Sequence, residues 1–145
     1  MRRRKNLVLF LSSLPVPKSN RYLRRRDGRV FKPARVVLWE VRALWELRSQ
    51  YQGSPLAGPL SVEVHFFFPD NRKRDIDNML KTLWDVLEKA RVIENDEVIH
   101  ETRTVKVKAS PVSGTVVVIK PYRERRNLIE KLLKELERFK LSLSG

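Results

Sequence analysis

At 145 residues, 41% of them hydrophobic, the chain is sized for one domain around one core, and a second domain is not expected. It contains no cysteine and two histidines, His65 and His100, which excludes disulfides, a zinc finger and a histidine-rich metal site. The formal charge is +14, and residues 1–35 hold twelve Lys or Arg against one acid, Asp27, a concentration that points to a polyanionic partner.

In chain order, "NLVLFLSSL" reads as a first strand. "PVPKSNRYLRRRDGRV" follows as a Pro-punctuated loop in which "DG" marks a tight turn. Pro33 suits the start of a helix from Ala34 to about Tyr51, in which Val37, Val41, Leu44 and Trp45 recur at helical spacing. The glycines and prolines of "QGSPLAGP" end it. In the second strand, "LSVEVHFFF", Val62, Val64, Phe66 and Phe68 share one face, opposite Ser61, Glu63 and His65. His65 is expected as an exposed strand residue, not a ligand. A second helix, about Asp77 to Arg91, has the apolar stripe Ile76, Leu80, Leu83, Leu87 and Ala90. A turn, "IENDEV", leads to a third strand, "EVIHETRTVKVKA", and "SPVSG" hairpins into a fourth, "TVVVIKPY". The apolar runs fall far short of the roughly 20 residues of a membrane span. The basic N-terminus lacks the apolar core and cleavage site of a secretory signal, so a cytoplasmic location is the expectation.

The acids gather around the second helix. Asp77, Lys81 and Asp85 are four apart and share a stripe, with the lysine expected between the two acids. Asp75 can converge with Asp77 only where the chain is entering the helix, in a capping conformation; capping is also its plain structural role. Asp96 lies in the following turn, and if the second and third strands are neighbours the three aspartates are expected to meet at one sheet end. Three converging carboxylates require a cation, and Mg2+ takes such hard oxygen ligands together with water and substrate phosphates. The combination suits phosphodiester hydrolysis, in which the ion lowers the pKa of water and neutralises the phosphate while Lys81 stabilises developing charge.

The segment "PDNRKRDIDNMLKTLWDVLEKARVIENDEV" resembles the signature of the RusA-type Holliday junction resolvases, and "SNRYLRRRDGR" is similar to the Asn-Arg-Tyr loop of the same family. The resemblance implies an α+β fold, a small mixed four-stranded sheet packed with helices, over residues 1–121. It implies Asp75, Asp77 and Asp96 as metal ligands, Lys81 as the catalytic lysine, and Asn78 as part of the motif. It further implies Mg2+, or Mn2+ in its place, and a homodimer that cuts four-way DNA junctions with two symmetric nicks. Asn20, Arg21, Tyr22, Arg24, Arg25, Arg26, Arg29, Arg72, Lys73, Arg74 and Asn78 are the candidate DNA-binding residues. Tyr22 either stacks at the open junction centre or packs against the first helix. The chain departs from the family pattern at Asn95, where the turn often has a further acid.

Residues 122–145 read as an added amphipathic helix with the stripe Ile129, Leu132, Leu133, Leu136 and Phe139. It packs on its own domain, forms a dimer contact, or grips DNA through Arg123, Arg125 and Arg126. A dimer contact through the sheet edge or first helix is also expected. Neither a PD-(D/E)xK nuclease nor a histidine-centred one fits: no lysine has an acid two residues before it, and the two histidines lie on separate strands. The competing class is a non-catalytic basic nucleic-acid-binding protein whose aspartates cap a helix and pair with arginines. Neither a membrane nor a small-molecule cofactor is expected.

Overall fold

A computed structural model describes residues 6–17 and 21–144. Four strands form one mixed sheet: β1 (Leu7–Leu11), β4 (Leu60–Phe67), β5 (Ile99–Val107) and β6 (Gly114–Pro121), in the order β1-β6-β4-β5. β6 pairs antiparallel with both β1 and β4, whereas β4 and β5 are parallel. A separate hairpin joins β2 (Leu23–Arg24) to β3 (Val30–Phe31), so the sequence expected as a loop carries a short ladder. Gly28 lies at its tip with φ +85°, a left-handed conformation that glycine adopts without a Cβ clash. Among the described residues there are three α-helices: α1 (Ala34–Gln50), α2 (Ile76–Lys89) and α3 (Arg126–Ser144). No helix among the described residues is long and apolar enough to cross a membrane.

Alternation along the strands decides where the core lies. Val62, Val64, Phe66 and Phe68 all point inward as expected, joined by Leu9, Leu11, Val117 and Ile119 from the flanking strands. α1 and α2 cover this face with Ala43, Leu47, Met79, Leu83, Val86 and Leu87. On the opposite face, Val8 and Phe10 of β1 are exposed.

α2 buries Leu83 and Leu87 from its expected stripe, and Met79, Thr82 and Val86 widen it. α1 is rotated from the face marked by its most apolar spacing. It buries Val36, Glu40, Ala43 and Leu47, while Val37, Val41 and Trp45 are exposed. Glu40 is accommodated on this face because its carboxylate accepts from Lys32 Nζ at 3.0 Å and lies 3.8 Å from Lys89 Nζ. Paired in this way, an acid can occupy a buried helix position.

Candidate active site

The loop between β4 and α2 is held by a set of contacts that aim the first turn of α2. Arg74 makes a two-pronged ion pair with Asp70 at 2.8 and 3.0 Å, and its guanidinium lies 4.7 Å from the centre of the Phe68 ring. Asp70 also accepts from the Arg72 backbone N–H at 3.0 Å. Its bond from Arg74 first, then that from Arg72, hold its carboxyl below the usual carboxylate range. Lys106 reaches across from β5 and donates to the Arg74 carbonyl at 2.7 Å. Asp70, Arg74 and Lys106 therefore fix the loop. Asp70 and Lys106 were not among the expected site residues, and because residues 70–74 are loop, no helical spacing could have marked the Asp70–Arg74 pair.

Asp75 is the N-cap of α2. With φ −87° and ψ 104°, it places Oδ1 3.0 Å from the Asp77 backbone N–H, and Oδ2 accepts from Asn78 Nδ2 at 3.1 Å. These two bonds leave further lone pairs on the carboxylate. Asp77 opens the first turn beside it. The capping conformation that convergence requires is thus present, and Asn78 orients Asp75.

Asp77 and Lys81 are exposed, and neither side chain has a hydrogen-bond or ion-pair partner among the described residues. The expected ladder from Asp77 through Lys81 to Asp85 does not form. Asp85 instead binds Arg21 Nη1 at 2.8 Å, which leaves Lys81 free.

That ion pair also changes the reading of Arg21. Expected on DNA, it is 5% exposed and joins the base of the basic hairpin to the middle of α2. Paired and buried, it has little surface left to offer DNA. Arg24, Arg25, Arg26 and Arg29 are exposed on the hairpin, where Arg25 stacks 4.9 Å from the Phe31 ring centre. Tyr22 is half exposed, with Lys32 Nζ 5.5 Å from its ring centre, and is not buried against α1. Arg72 and Lys73 are exposed near the α2 N-terminus, whereas Arg74 is committed to Asp70. Asn20 lies outside the described residues.

Asp96 does not join the pair. It begins a short 3-10 turn, Asp96–Val98, capped by Asn95, whose Oδ1 accepts from the Glu97 N–H at 3.0 Å. Gly58 lets this turn pass close to the entrance of β4, since a Cβ there would lie 2.8 Å from the Val98 carbonyl oxygen. β4 and β5 are indeed neighbours, but they are parallel, with Leu60 opposite Ile99 and Phe67 opposite Val107. Asp75 and Asp77 follow the C-terminal end of β4; Asp96 precedes the N-terminal end of β5. The 14 residues of α2 separate the two ends by about 20 Å. The expectation that all three meet at one sheet end is therefore corrected for the single chain. Among the described residues, no three His, Asp or Glu side chains are grouped to hold a metal ion.

The sequence over residues 13–120 matches the family model described as "Endodeoxyribonuclease RusA". The chain belongs to the RusA family. It is 53% identical over 116 residues to the crossover junction endodeoxyribonuclease RusA of Aquifex aeolicus (strain VF5), covering 80% of this chain and 92% of that protein. It is 30% identical over 91 residues to the protein of the same name from Escherichia coli (strain K12), covering 63% of this chain and 76% of the relative. The mixed sheet and helices agree with the α+β RusA fold, and the candidate residues from Arg21 to Asp96 all lie inside the matched region.

Proposed function

We propose that this chain is a Holliday junction resolvase, an endodeoxyribonuclease that hydrolyses four-way DNA junctions by paired, symmetric cuts with Mg2+, or Mn2+ in its place. The observation that carries this reading is the free pair Asp77 and Lys81, exposed on one stripe of α2 next to the capping Asp75, within the RusA-matched segment. A purely structural nucleic-acid binder accounts for Asp75 as a cap but gives Asp77, Lys81 and Asp96 no task.

Two carboxylates suffice for Mg2+ when water and substrate phosphates complete its octahedron, so the pair at Asp75 and Asp77 fits the ion chemically. Asp75 and Asp77 would hold the ion, which would neutralise phosphate charge and make water more acidic, and Asn78 holds Asp75 in place. Lys81, one turn from Asp77, supports the negative charge that develops on the phosphate oxygens. Arg24, Arg25, Arg26 and Arg29 grip phosphates along the arms and orient the strand.

The working unit is a homodimer. Resolving a junction into two duplexes takes two cuts, and one chain has one Asp75–Asp77 pair. The separation of Asp96 supplies a second reason. A two-fold axis that sets the α2 N-terminus of one copy against the entrance of β5 in the other would bring Asp96 to Asp75 and Asp77. All three acids then serve one site, shared between copies.

The test is incubation with a synthetic four-way junction and with linear duplex, each with and without Mg2+. Metal-dependent symmetric nicks confined to the junction are expected. Junction binding without cleavage at any divalent-ion concentration would make this chain a binder instead.

A further inference from the structure

α3 differs from the other helices in burying no residue. Ile129, Leu132, Leu136, Phe139 and Leu143 alternate in spacing between three and four, the a and d positions of a heptad, and are 39% to 71% exposed. The root of α3 is anchored, with Tyr122 N–H donating to the Pro59 carbonyl at 3.0 Å and Arg125 3.8 Å from Glu101. Beyond that root, no α3 residue packs against the hydrophobic core. A helix of 19 residues is about 28 Å long and only marginally stable alone in water, so its apolar seam calls for a partner.

The flanking charges identify that partner and its direction. Leu128 and Glu135 occupy g positions, and Leu133 and Lys140 occupy e positions. In two parallel helices each g residue meets the e residue five places on in the other copy. Leucine then meets leucine, and Glu135 meets Lys140 on both sides. In the fully overlapped antiparallel arrangement, Glu135 would face its own counterpart, a repulsive pair. We propose that α3 pairs with α3 of a second copy of this chain as a parallel two-stranded coiled coil.

The proposal rests on the dimeric reading above. About two and a half heptads are too few to join free chains, but pairing becomes effectively intramolecular once the cores have associated. The linker Tyr122–Arg125 gives each helix a reach of about 13 Å from its strand. α3 also lies outside the residues that match the RusA model, so it adds a contact to the matched core.

The absence of cysteine makes the test clean. Full-length protein carrying Leu143→Cys at an a position, or Leu141→Cys on the outer face, is oxidised at low concentration, and covalent dimer is measured. The Leu143→Cys protein is expected to cross-link almost completely while Leu141→Cys remains largely uncoupled. Adding Glu135→Lys should slow cross-linking several-fold, and adding Lys140→Glu to that variant should restore it. Equal coupling at 141 and 143, or coupling confined to a mixture of Ile129→Cys with Phe139→Cys proteins, would overturn the parallel pair. Junction cleavage is measured on the same variants. Cleavage without coupling at 143 overturns the coiled coil and spares the resolvase; coupling without cleavage does the reverse.

Discussion

α2 and α3 are both amphipathic, yet α2 buries Met79, Thr82, Leu83, Val86 and Leu87 while α3 buries nothing. The difference lies in how the chain is connected. α2 leaves β4 and must deliver β5 parallel to it, so the crossover confines the helix to the sheet and its stripe has a partner by construction. α3 follows the last strand through a short linker, and nothing compels it to return. A stripe in sequence therefore says that apolar surface will be covered, whereas connectivity decides by which molecule.

Truncation separates the two helices most strongly. Leu83→Ala should destabilise the chain by about 2–5 kcal/mol, because Leu83 is fully buried and leaves a cavity. Leu132→Ala should change the unfolding free energy of the dissociated monomer, measured at a concentration where the dimer has come apart, by less than about 0.5 kcal/mol. Denaturant unfolding of both variants checks this, and an equal loss would mean that α3 packs on its own domain.

Arg21→Ala comes next. It leaves Asp85 without its partner and should cost about 1–2 kcal/mol, below the value for a fully buried pair because the Asp85 side chain is 36% exposed. The same unfolding assay measures it. Activity should fall further than stability alone explains if the pair positions the basic hairpin beside α2.

Binding should respond to the hairpin and little to α3. Removing Arg24, Arg25 and Arg26 should flatten the dependence of log affinity on log salt by about one unit per lost phosphate contact, read by titrating labelled junction at several salt concentrations. An unchanged slope would place the phosphate contacts elsewhere.

The smallest effect is a pH dependence in the loop that aims α2. The folded pKa of Asp70 is lowered, so its contribution is present above the ordinary value of 3.8 and is lost as pH falls through the lower folded one. Acid unfolding of Asp70→Asn should accordingly lack part of the stability difference that wild type shows between neutral pH and below pH 3.8. Identical acid profiles would remove Asp70 from the account.

Much of this was legible in residue order. The spacing of Leu83 and Leu87 placed the α2 core face, alternation placed Val62, Val64 and Phe66 of β4 and the following Phe68 in the core, and the two-residue step from Asp75 to Asp77 required the cap that is found. α1 was less legible because Glu40 faces inward through pairing with Lys32 and Lys89, one of them 49 residues away, which periodicity cannot register. The location of Asp96 was also missed, although the signal was present. A strand, a full helix and a neighbouring strand make a parallel crossover, so a residue at the helix start and one after its end belong at opposite ends of the sheet.

If each active site combines Asp75 and Asp77 of one copy with Asp96 of another, copies with different lesions should complement one another. Asp77→Asn and Asp96→Asn proteins, each inactive alone, are unfolded together, refolded as a mixture and given a four-way junction with Mg2+. In a mixed dimer, one shared site carries both lesions and the other carries neither. The mixture should therefore regain single-strand nicking without full resolution. A mixture as inactive as either variant, with mixed dimers demonstrated to form, would contradict the shared site.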